Sequence, residues 1–286
     1  MLGGYGLAEH SARWVGTEDG LAPYPSWSRT NCTWNEPPKC TGKDGLAVAG
    51  EGSADGAFWC PAETDFTLQN GDREHTLALA CVRARSLADP KAVTEWFYNG
   101  KAGVHTPAQL RHMYEQSAGS NNALIIDIAP FPNGSVPAEQ VAAATALGKF
   151  KTGCYGGIPV ASGSGSGSAP ITIKTSSGAA DAIDRVQIRE DISSGQIVRA
   201  FTLTALLGNG TSVPLCPERG GSSIGAKYIC VMPAPLQVKS LTLTVTAAKG
   251  GTAKIAQFAA FSCSSLAAEI DESWSDGTAL RAAMAS

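Results

Sequence analysis

The segment Val104–Phe131, VHTPAQLRHMYEQSAGSNNALIIDIAPF, decides the fold class, because it joins a helix pattern directly to a strand pattern. Thr106 and Gln109 have the spacing of a capping box, and Pro107 falls at the first helical position, where its missing N–H is tolerated. Apolar residues follow at helical spacing, and Gly119 supplies a stop signal. The sequence therefore predicts a capped helix that leads into an apolar strand.

That strand, predicted over 123–131, is a continuous apolar run broken only by Asp127. Such a run is typical of a strand buried on both faces of a parallel sheet. After the turn residues PNGS, a second helix is predicted over 137–151. Helix, buried strand, loop and helix form the repeating unit of a β/α barrel or a doubly wound sheet. Asp127 stands near the C-terminal end of the strand, where barrel enzymes place functional groups, but a carboxylate that caps the next loop explains it equally well.

A Gly/Ser alternation, ASGSGSGSAP at 161–170, is the clearest boundary in the chain and predicts a flexible linker. Beyond it, six β-rich segments separated by turn residues predict an antiparallel sandwich over 171–263. The segment 264–286 is Ala-rich and polar, which predicts a frayed helix or a disordered tail. The predicted fold is therefore an α/β unit over 1–160 followed by an all-β antiparallel sandwich.

Charge and composition exclude several classes of partner. The formal net charge of −3 gives no electrostatic reason to expect a nucleic acid or an anionic membrane surface. No apolar run approaches the roughly 18 residues of a membrane span. The cysteines form no Cys-x-x-Cys pair and the four histidines no metal-ligand spacing, so we expect neither a metal nor another cofactor.

Cysteine spacing and glycosylation sequons favour the secretory route. Cys32–Cys40 and Cys216–Cys230 are spaced like closures of short loops, the commoner use of such cysteines in an oxidising compartment. Acceptor sequons begin at Asn31, Asn133 and Asn209. The first residues lack the basic start and the apolar stretch of a signal peptide, so we expect that this peptide was lost with an N-terminal part. The sequence predicts a secreted, extracellular or lysosomal or vacuolar protein.

Five carboxylates are candidates for chemistry: Glu18, Asp19, Glu63, Asp65 and Asp127. Around Glu63 and Asp65, the segment AFWCPAETDF places three aromatic rings next to two acids. This mixture suits sugar recognition, since the apolar faces of sugars stack on rings while their hydroxyls need acceptors. The alternative is a core tryptophan beside surface acids. No Gly-x-Ser-x-Gly motif and no phosphate-binding Gly-rich loop occurs.

Four stretches, in order, resemble the α-L-fucosidases of glycoside hydrolase family 29. RWVGTEDG, at 13–20, is similar to the Arg-Trp-Val-Gly-Asn-Glu-x-Gly segment of the α-1,3/1,4-specific branch. WCPAETDF, at 59–66, resembles the Trp-x-Pro-Ala-Glu-x-Asp segment of that family. The region 95–137 resembles its final barrel units, and 181–201 with 220–232 resemble the sandwich that follows the barrel.

The resemblance implies a partial TIM-type β/α barrel followed by the sandwich. It also implies a retaining glycosidase that removes terminal α-1,3/1,4-linked L-fucose from glycans, with a fucosylated glycan or glycoconjugate as its partner. Glu18 would be the general acid/base, and Asp19 a turn residue or a residue that supports the site. The implied substrate contacts are Trp14, Trp59, Glu63, Trp96 and Asp127. The nucleophilic Asp of the family would fall upstream of Met1.

The chain also departs from the family pattern. Thr17, Glu95 and Asp127 replace Asn, Gly and Asn, and 70–94 resembles an insertion. A second hypothesis is therefore a catalytically inactive, truncated paralogue or fragment that acts at most as a carbohydrate-binding protein. A third, a structural adhesion sandwich beside an unrelated α/β domain, requires that the ordered motif matches are accidental.

Overall fold

The structure, a computed structural model, describes residues 12–33, 39–40, 50–70, 96–100, 102–175 and 178–285. Apart from Asn70, the predicted insertion lies outside these residues. The elements of the first part are, in chain order, β1 (Arg13–Trp14), β2 (Arg29–Thr30), β3 (Cys32–Thr33), β4 (Lys39–Cys40), β5 (Phe58–Trp59), β6 (Ala62–Thr67), β7 (Gln69–Asn70), β8 (Gly103–Val104), α1 (Pro107–Ser117), β9 (Asn122–Asp127) and α2 (Ala138–Tyr155). No helix within the described ranges is long and apolar enough to cross a membrane.

Strands β1, β6 and β9 form a parallel sheet in that order, with Trp14 opposite Glu63 and Thr67 opposite Asp127. Helices α1 and α2 pack against one face of this sheet. The buried side chains between them include Phe66, Leu68, Leu110, Tyr114, Ala143 and Leu147. This is the predicted α/β arrangement, but the strands that the structure describes form an open sheet and no closed barrel.

Strand β9 is not buried on both faces, as its apolar run predicted. Leu124 and Ile126 pack against the helical layer, whereas Ile125 on the other face is 47% exposed. The run is apolar on both faces, but the described residues supply a covering layer on only one of them. The open face is the one that carries the acidic residues of the sheet.

Helix α1 begins as predicted. The Gln109 N–H donates to Thr106 Oγ1 at 3.3 Å, and the Thr106 N–H donates to Gln109 Oε1 at 2.9 Å. This reciprocal pair is a capping box, and Pro107 occupies the first turn. Helix α2 starts close to the predicted residue and extends beyond 151, to Tyr155.

The second part is antiparallel β, as predicted. Its elements are β10 (Ala161–Ser166), β11 (Ile171–Lys174), β12 (Asp181–Glu190), β13 (Val198–Leu207), β14 (Ser212–Pro214), β15 (Tyr228–Ala248), β16 (Lys254–Phe261), α3 (Ser264–Ser275) and α4 (Thr278–Ala285). The strands form one continuous sheet, β10-β16-β12-β15-β13-β14, with β11 also paired to β15. A single hydrophobic core receives side chains from β11, β12, β13, β15 and β16.

Strand β15 joins YICVMP and KSLTLTVTAAK, two of the six β-rich segments that the sequence indicated, so their prediction as separate strands is wrong. Its pairing with β12 jumps from Val231 to Leu236 while β12 advances only from Arg185 to Ile183. The residues left out of the ladder include two prolines, at 233 and 235, which have no N–H to donate. The bulge therefore accommodates the prolines without ending the strand.

The Gly/Ser segment is a strand, so the prediction of a flexible linker is wrong. In β10 the glycines and serines alternate between faces, and the serines are the exposed residues. A Cβ at Gly163 would lie 2.8 Å from the Ile173 side chain, and one at Gly165 would lie 2.8 Å from Ile171. The glycines are needed because β11 packs directly against this face.

The segment after 263 is ordered, which corrects the prediction of a frayed or disordered tail. Ala267 and Ile270 of α3 are buried in a cluster with Phe150 of α2. A disulfide joins Cys154 to Cys263 at the start of α3. Arg111 of α1 donates two hydrogen bonds to Asp271 of α3, at 2.8 and 2.7 Å. These partners lie far away in sequence, so the local pattern could not show them.

The two parts are packed against each other. Ile229 of β15 belongs to the cluster between the helices and the parallel sheet. Glu115 of α1 accepts from Arg185 Nε at 3.0 Å and from the Tyr155 hydroxyl at 2.8 Å. Arg185 also lies 3.2 Å from the buried Asp184. The helices therefore form a layer shared by the two sheets.

Asn121, just before β9, connects three segments through one buried amide. Its Nδ2 donates to the Ser26 carbonyl at 3.1 Å and to Ser28 Oγ at 3.0 Å, and its Oδ1 accepts from the Ala226 N–H at 2.8 Å. Its φ of 62° is in the left-handed region, which asparagine tolerates better than most residues. Asn121 thus connects the segment that follows β1 to the segment that directly precedes β15.

We predict that Gly163→Val destabilises the protein, because the new side chain would overlap Ile173. Overpacking of this kind lowers the free energy of unfolding by about 1–3 kcal/mol. Urea unfolding followed by circular dichroism measures the change. Ser164→Val is the matched control, since Ser164 is exposed in the same strand and a change within about 0.5 kcal/mol is expected. Equal destabilisation by both variants would contradict the assignment of β10.

Candidate active site

The candidate site lies on the open face of the parallel sheet. Alternation along the strands places Trp14, Glu63, Asp65 and Asp127 on this face, opposite the helices. The loop after β1, which carries Glu18, leaves the carboxyl end of the same sheet. This is the end at which parallel α/β folds place functional groups.

Glu18 is held by an indole. The Trp96 Nε1–H donates to Glu18 Oε2 at 2.9 Å, so the structure brings together two of the predicted site residues that lie far apart in sequence. Behind Glu18, the Gly20 N–H donates to the Asp65 carbonyl at 3.0 Å. Gly20 has a φ of 72°, and a Cβ there would lie 2.9 Å from the Phe66 ring, so this close approach requires glycine. Asp19 is exposed and accepts from the Leu21 N–H at 3.0 Å in a turn.

A second indole–carboxylate pair lies on the sheet itself. The Trp14 Nε1–H donates to Asp65 Oδ1 at 2.9 Å, and Asp65 is only 9% exposed. Burial raises the pKa of the Asp65 carboxyl above its usual range, the indole hydrogen bond opposes this rise, and the charge of Glu18 adds to it. Asp65 was noted among the acids of the sequence but not chosen as a site residue. Its spacing of two from Glu63 within a strand is the signal that places both on one face.

The two remaining carboxyl groups of this face also have raised pKa values. Burial raises the pKa of Glu63, and the charge of Asp65 adds to it. Burial likewise raises the pKa of Asp127, against a hydrogen bond from Thr67. Within the described residues, Asp127 Oδ2 is buried without a hydrogen-bond partner. These groups are biased towards the protonated form, in which a carboxyl can donate as well as accept.

Trp59 lies apart from this arrangement. It is half-buried in β5, opposite Arg29 of β2 in a separate two-stranded sheet. The structure therefore unites Trp14, Glu18, Glu63 and Trp96 around one end of the parallel sheet and places Trp59 on a neighbouring hairpin. Among the described residues, no group of three His, Cys, Asp or Glu side chains has an arrangement that could hold a metal ion.

Among the described residues, disulfides join Cys154 to Cys263 and Cys216 to Cys230, and the second closes one of the short loops that the cysteine spacing indicated. The backbones of Cys32 and Cys40 face each other in the β3–β4 hairpin, but their side chains lie outside the described part. Two of the three predicted glycosylation residues, Asn133 and Asn209, are exposed in turns. Asn31 is less accessible, and its Oδ1 accepts from the Ala57 N–H at 3.0 Å.

No protein-family model and no curated protein matches this sequence. Solved structures do match. A protein of Bacteroides thetaiotaomicron named as an α-L-fucosidase is similar with a TM-score of 0.70 and 26% identity, over 90% of this chain and 52% of that chain. A glycoside hydrolase 29 family member from an unknown rumen bacterium has a TM-score of 0.69 and 22% identity, over 88% of this chain and 40% of that one. A Ruminococcus gnavus GH29 fucosidase in complex with fucose has a TM-score of 0.69 and 19% identity, over 90% and 51%.

The chain thus covers between 40% and 52% of the length of these three solved structures. Their similarity follows the element order of both parts, since nearly all of this chain is aligned. The similarity shows that this chain shares the fold of these structures over nearly all of its length.

The raised pKa of Asp65 predicts a pH-dependent stability difference between wild type and Asp65→Asn. The folded protein holds the Asp65 proton to higher pH than the unfolded chain, so this group makes the wild type less stable as pH rises from about 3.8 through its raised pKa. The variant lacks this loss. Its advantage in melting temperature over wild type should therefore be smallest near pH 3 and grow towards pH 7.

Asp55→Asn is the control of opposite sign for this experiment. Lys249 and Arg199 lower the pKa of Asp55, so its charged form stabilises the fold. This variant should lose stability relative to wild type as pH rises. A pH-independent difference for Asp65→Asn, or one with the sign of Asp55→Asn, would contradict the buried position of Asp65.

Proposed function

We propose that this chain acts as an α-L-fucosidase-like retaining glycoside hydrolase. Its reaction would remove terminal α-1,3/1,4-linked L-fucose from glycans or glycoconjugates. The observation that carries the proposal is Glu18, which lies on a loop at the carboxyl end of the parallel sheet and is held by the Trp96 indole. The linkage preference is inferred from RWVGTEDG, the segment that contains this glutamate.

Glu18 would protonate the glycosidic oxygen and later accept a proton from the attacking water. The fixed indole N–H orients one carboxylate oxygen, which leaves the other free to face the bond that breaks. Gly20 supports this geometry from behind, because its N–H is bonded to the backbone of β6. The loop is therefore ordered before a substrate arrives.

A retaining glycosidase also needs an ionised carboxylate as nucleophile. Burial raises the pKa values of Glu63, Asp65 and Asp127, and the motif resemblance assigns the nucleophile to none of them. We infer that they bind hydroxyl groups of the sugar, with the unpaired Asp127 Oδ2 as an acceptor. The nucleophile would come from outside the described residues.

The indole rings complete the proposed sugar site. Trp14 and Trp96 each use Nε1 on a carboxylate, so their ring faces remain available for the apolar face of a pyranose. Trp59 is assigned to the same site on the resemblance of its segment alone. No metal or cofactor takes part in the proposed reaction.

We also propose a secreted, extracellular or lysosomal or vacuolar location. The disulfides Cys154–Cys263 and Cys216–Cys230 are compatible with an oxidising compartment. Exposed turns at Asn133 and Asn209 would accept glycans there.

The alternative is a protein that binds fucosylated glycans without cleaving them. The open face favours it, because its indoles and carboxyl groups can stack on and hydrogen-bond a sugar, while the nucleophile would come from outside the described residues. Calorimetric titration of the full chain with L-fucose, beside an assay of hydrolysis, separates the two functions. Binding without turnover supports the alternative, and turnover excludes it.

We predict that Glu18→Gln lowers kcat on a fucosyl-α-1,3/1,4 glycan by about 10²- to 10⁴-fold, the usual contribution of a general acid/base. The loss should be much smaller for α-L-fucosyl fluoride, whose leaving group needs no proton. Asp19→Asn is the matched control, since it keeps the acceptor in the turn, and its rate should stay near wild type. Equal rates of Glu18→Gln and wild type on the glycan would contradict the assignment.

A further inference from the structure

Phe97 is a large ring held in an exposed position beside the candidate site. It directly follows Trp96, and it is 78% exposed with respect to the described residues. Its backbone is fixed from inside, because the buried amide of Gln69 donates through Nε2 to the Phe97 carbonyl at 3.1 Å. A benzyl group in water on a fixed backbone adds nothing to the core, and binding residues often stand on loops that a rigid scaffold positions.

The next residue joins this loop to the loop after β9. The rings of Tyr98 and Phe131 pack edge to face with centroids 4.5 Å apart. Phe131 is itself held in a turn, where its N–H donates to the Ser135 carbonyl at 2.8 Å. We call Phe97, Tyr98 and Phe131 the aromatic rim. It follows two strand ends at the same edge of the sheet as Glu18.

Further apolar side chains extend this surface on the β9 side. Ile128 is 43% exposed and Val136 is 42% exposed, and both belong to the loop that carries Phe131. Within the described part, these exposed apolar residues lie on the two loops that the Tyr98–Phe131 contact joins, and Trp96, the partner of Glu18, belongs to one of these loops. The polar groups lie on the sheet face, and the apolar ones lie at its rim.

We propose that the aromatic rim binds the sugar ring to which fucose is attached, with Phe97 stacked on the apolar face of that pyranose. Glu18 marks the position of the glycosidic oxygen, and the carboxylates of the sheet face lie on the fucose side. The linked sugar must then leave the sheet past Trp96 and Phe97. The identity of the bound sugar rests on the proposed function, whereas the existence of a pyranose subsite at Phe97 can be measured by itself.

Two separate calorimetric titrations of the full chain test this proposal, one with L-fucose and one with the disaccharide N-acetyllactosamine, which carries no fucose. Phe97→Ala should raise the Kd for N-acetyllactosamine by about threefold to tenfold, the range of one aromatic stacking contact, and leave the Kd for fucose unchanged. Phe97→Tyr should retain the wild-type Kd. Ile158→Ala is the matched control, since Ile158 is 96% exposed beyond the end of α2.

The outcomes separate this proposal from the proposed function. Fucose binding with an equal N-acetyllactosamine Kd in wild type and Phe97→Ala would overturn the subsite alone. Disaccharide binding that depends on Phe97, without any fucose binding or hydrolysis, would support the subsite and overturn the fucosidase. No binding of N-acetyllactosamine to wild type would overturn the subsite. A melting temperature lowered by more than about 4 °C in Phe97→Ala would also overturn it, because the ring would then be covered by the chain itself.

Discussion

The buried amide of Asn121 is the contact on which the arrangement of the site depends. It satisfies polar groups of the buried Ser26 and Ser28, each of which would cost about 1–3 kcal/mol if left without a partner, and it also accepts from the Ala226 N–H. A Cβ on Gly225 would lie 2.2 Å from the Asn121 amide, so the segment around residue 225 needs glycine there to leave room for this amide. The segment after β1 is thus fixed at two points, at Gly20 against β6 and at Ser26–Ser28 against Asn121. Glu18 precedes both, on a loop that the second part of the molecule helps to hold.

Two indole–carboxylate pairs give the open face its chemistry. Trp96 holds Glu18 at the rim, while Trp14 holds Asp65 within the sheet. The two carboxylates differ in burial, since Asp65 is buried and Glu18 is partly exposed. Burial makes the proton harder to remove from Asp65, and proximity of the other acids strengthens the effect. The pKa values of the sheet-face acids Glu63, Asp65 and Asp127 are all raised by burial, whereas Glu18 stands on the loop at the carboxyl end of the sheet.

The sequence predicted the elements whose signals are local. The capping box at Thr106, the helix after residue 137 and the Cys216–Cys230 disulfide are confirmed because each depends on residues close in the chain. The Gly/Ser strand was missed because glycine has no side chain to show a period of two, and its partners Ile171 and Ile173 lie in another strand. The segments YICVMP and KSLTLTVTAAK were predicted as separate strands because the bulge between them is visible only in the pairing with β12. In the site, the motif resemblance selected Glu18 and Trp96, but only the parallel register shows that Asp65 belongs with them.

The disulfide between Cys154 and Cys263 also determines how the molecule responds to a break in its backbone. The two cysteines are 109 residues apart, so the whole seven-stranded sheet lies within the loop that they close. A protease that cuts an exposed turn of this loop, such as the one at Asn209, produces two pieces that stay covalently joined. The cut would leave the elution volume in size-exclusion chromatography unchanged. On a denaturing gel, two separate fragments would appear only after reduction of the disulfide. A nicked chain therefore remains joined through this disulfide.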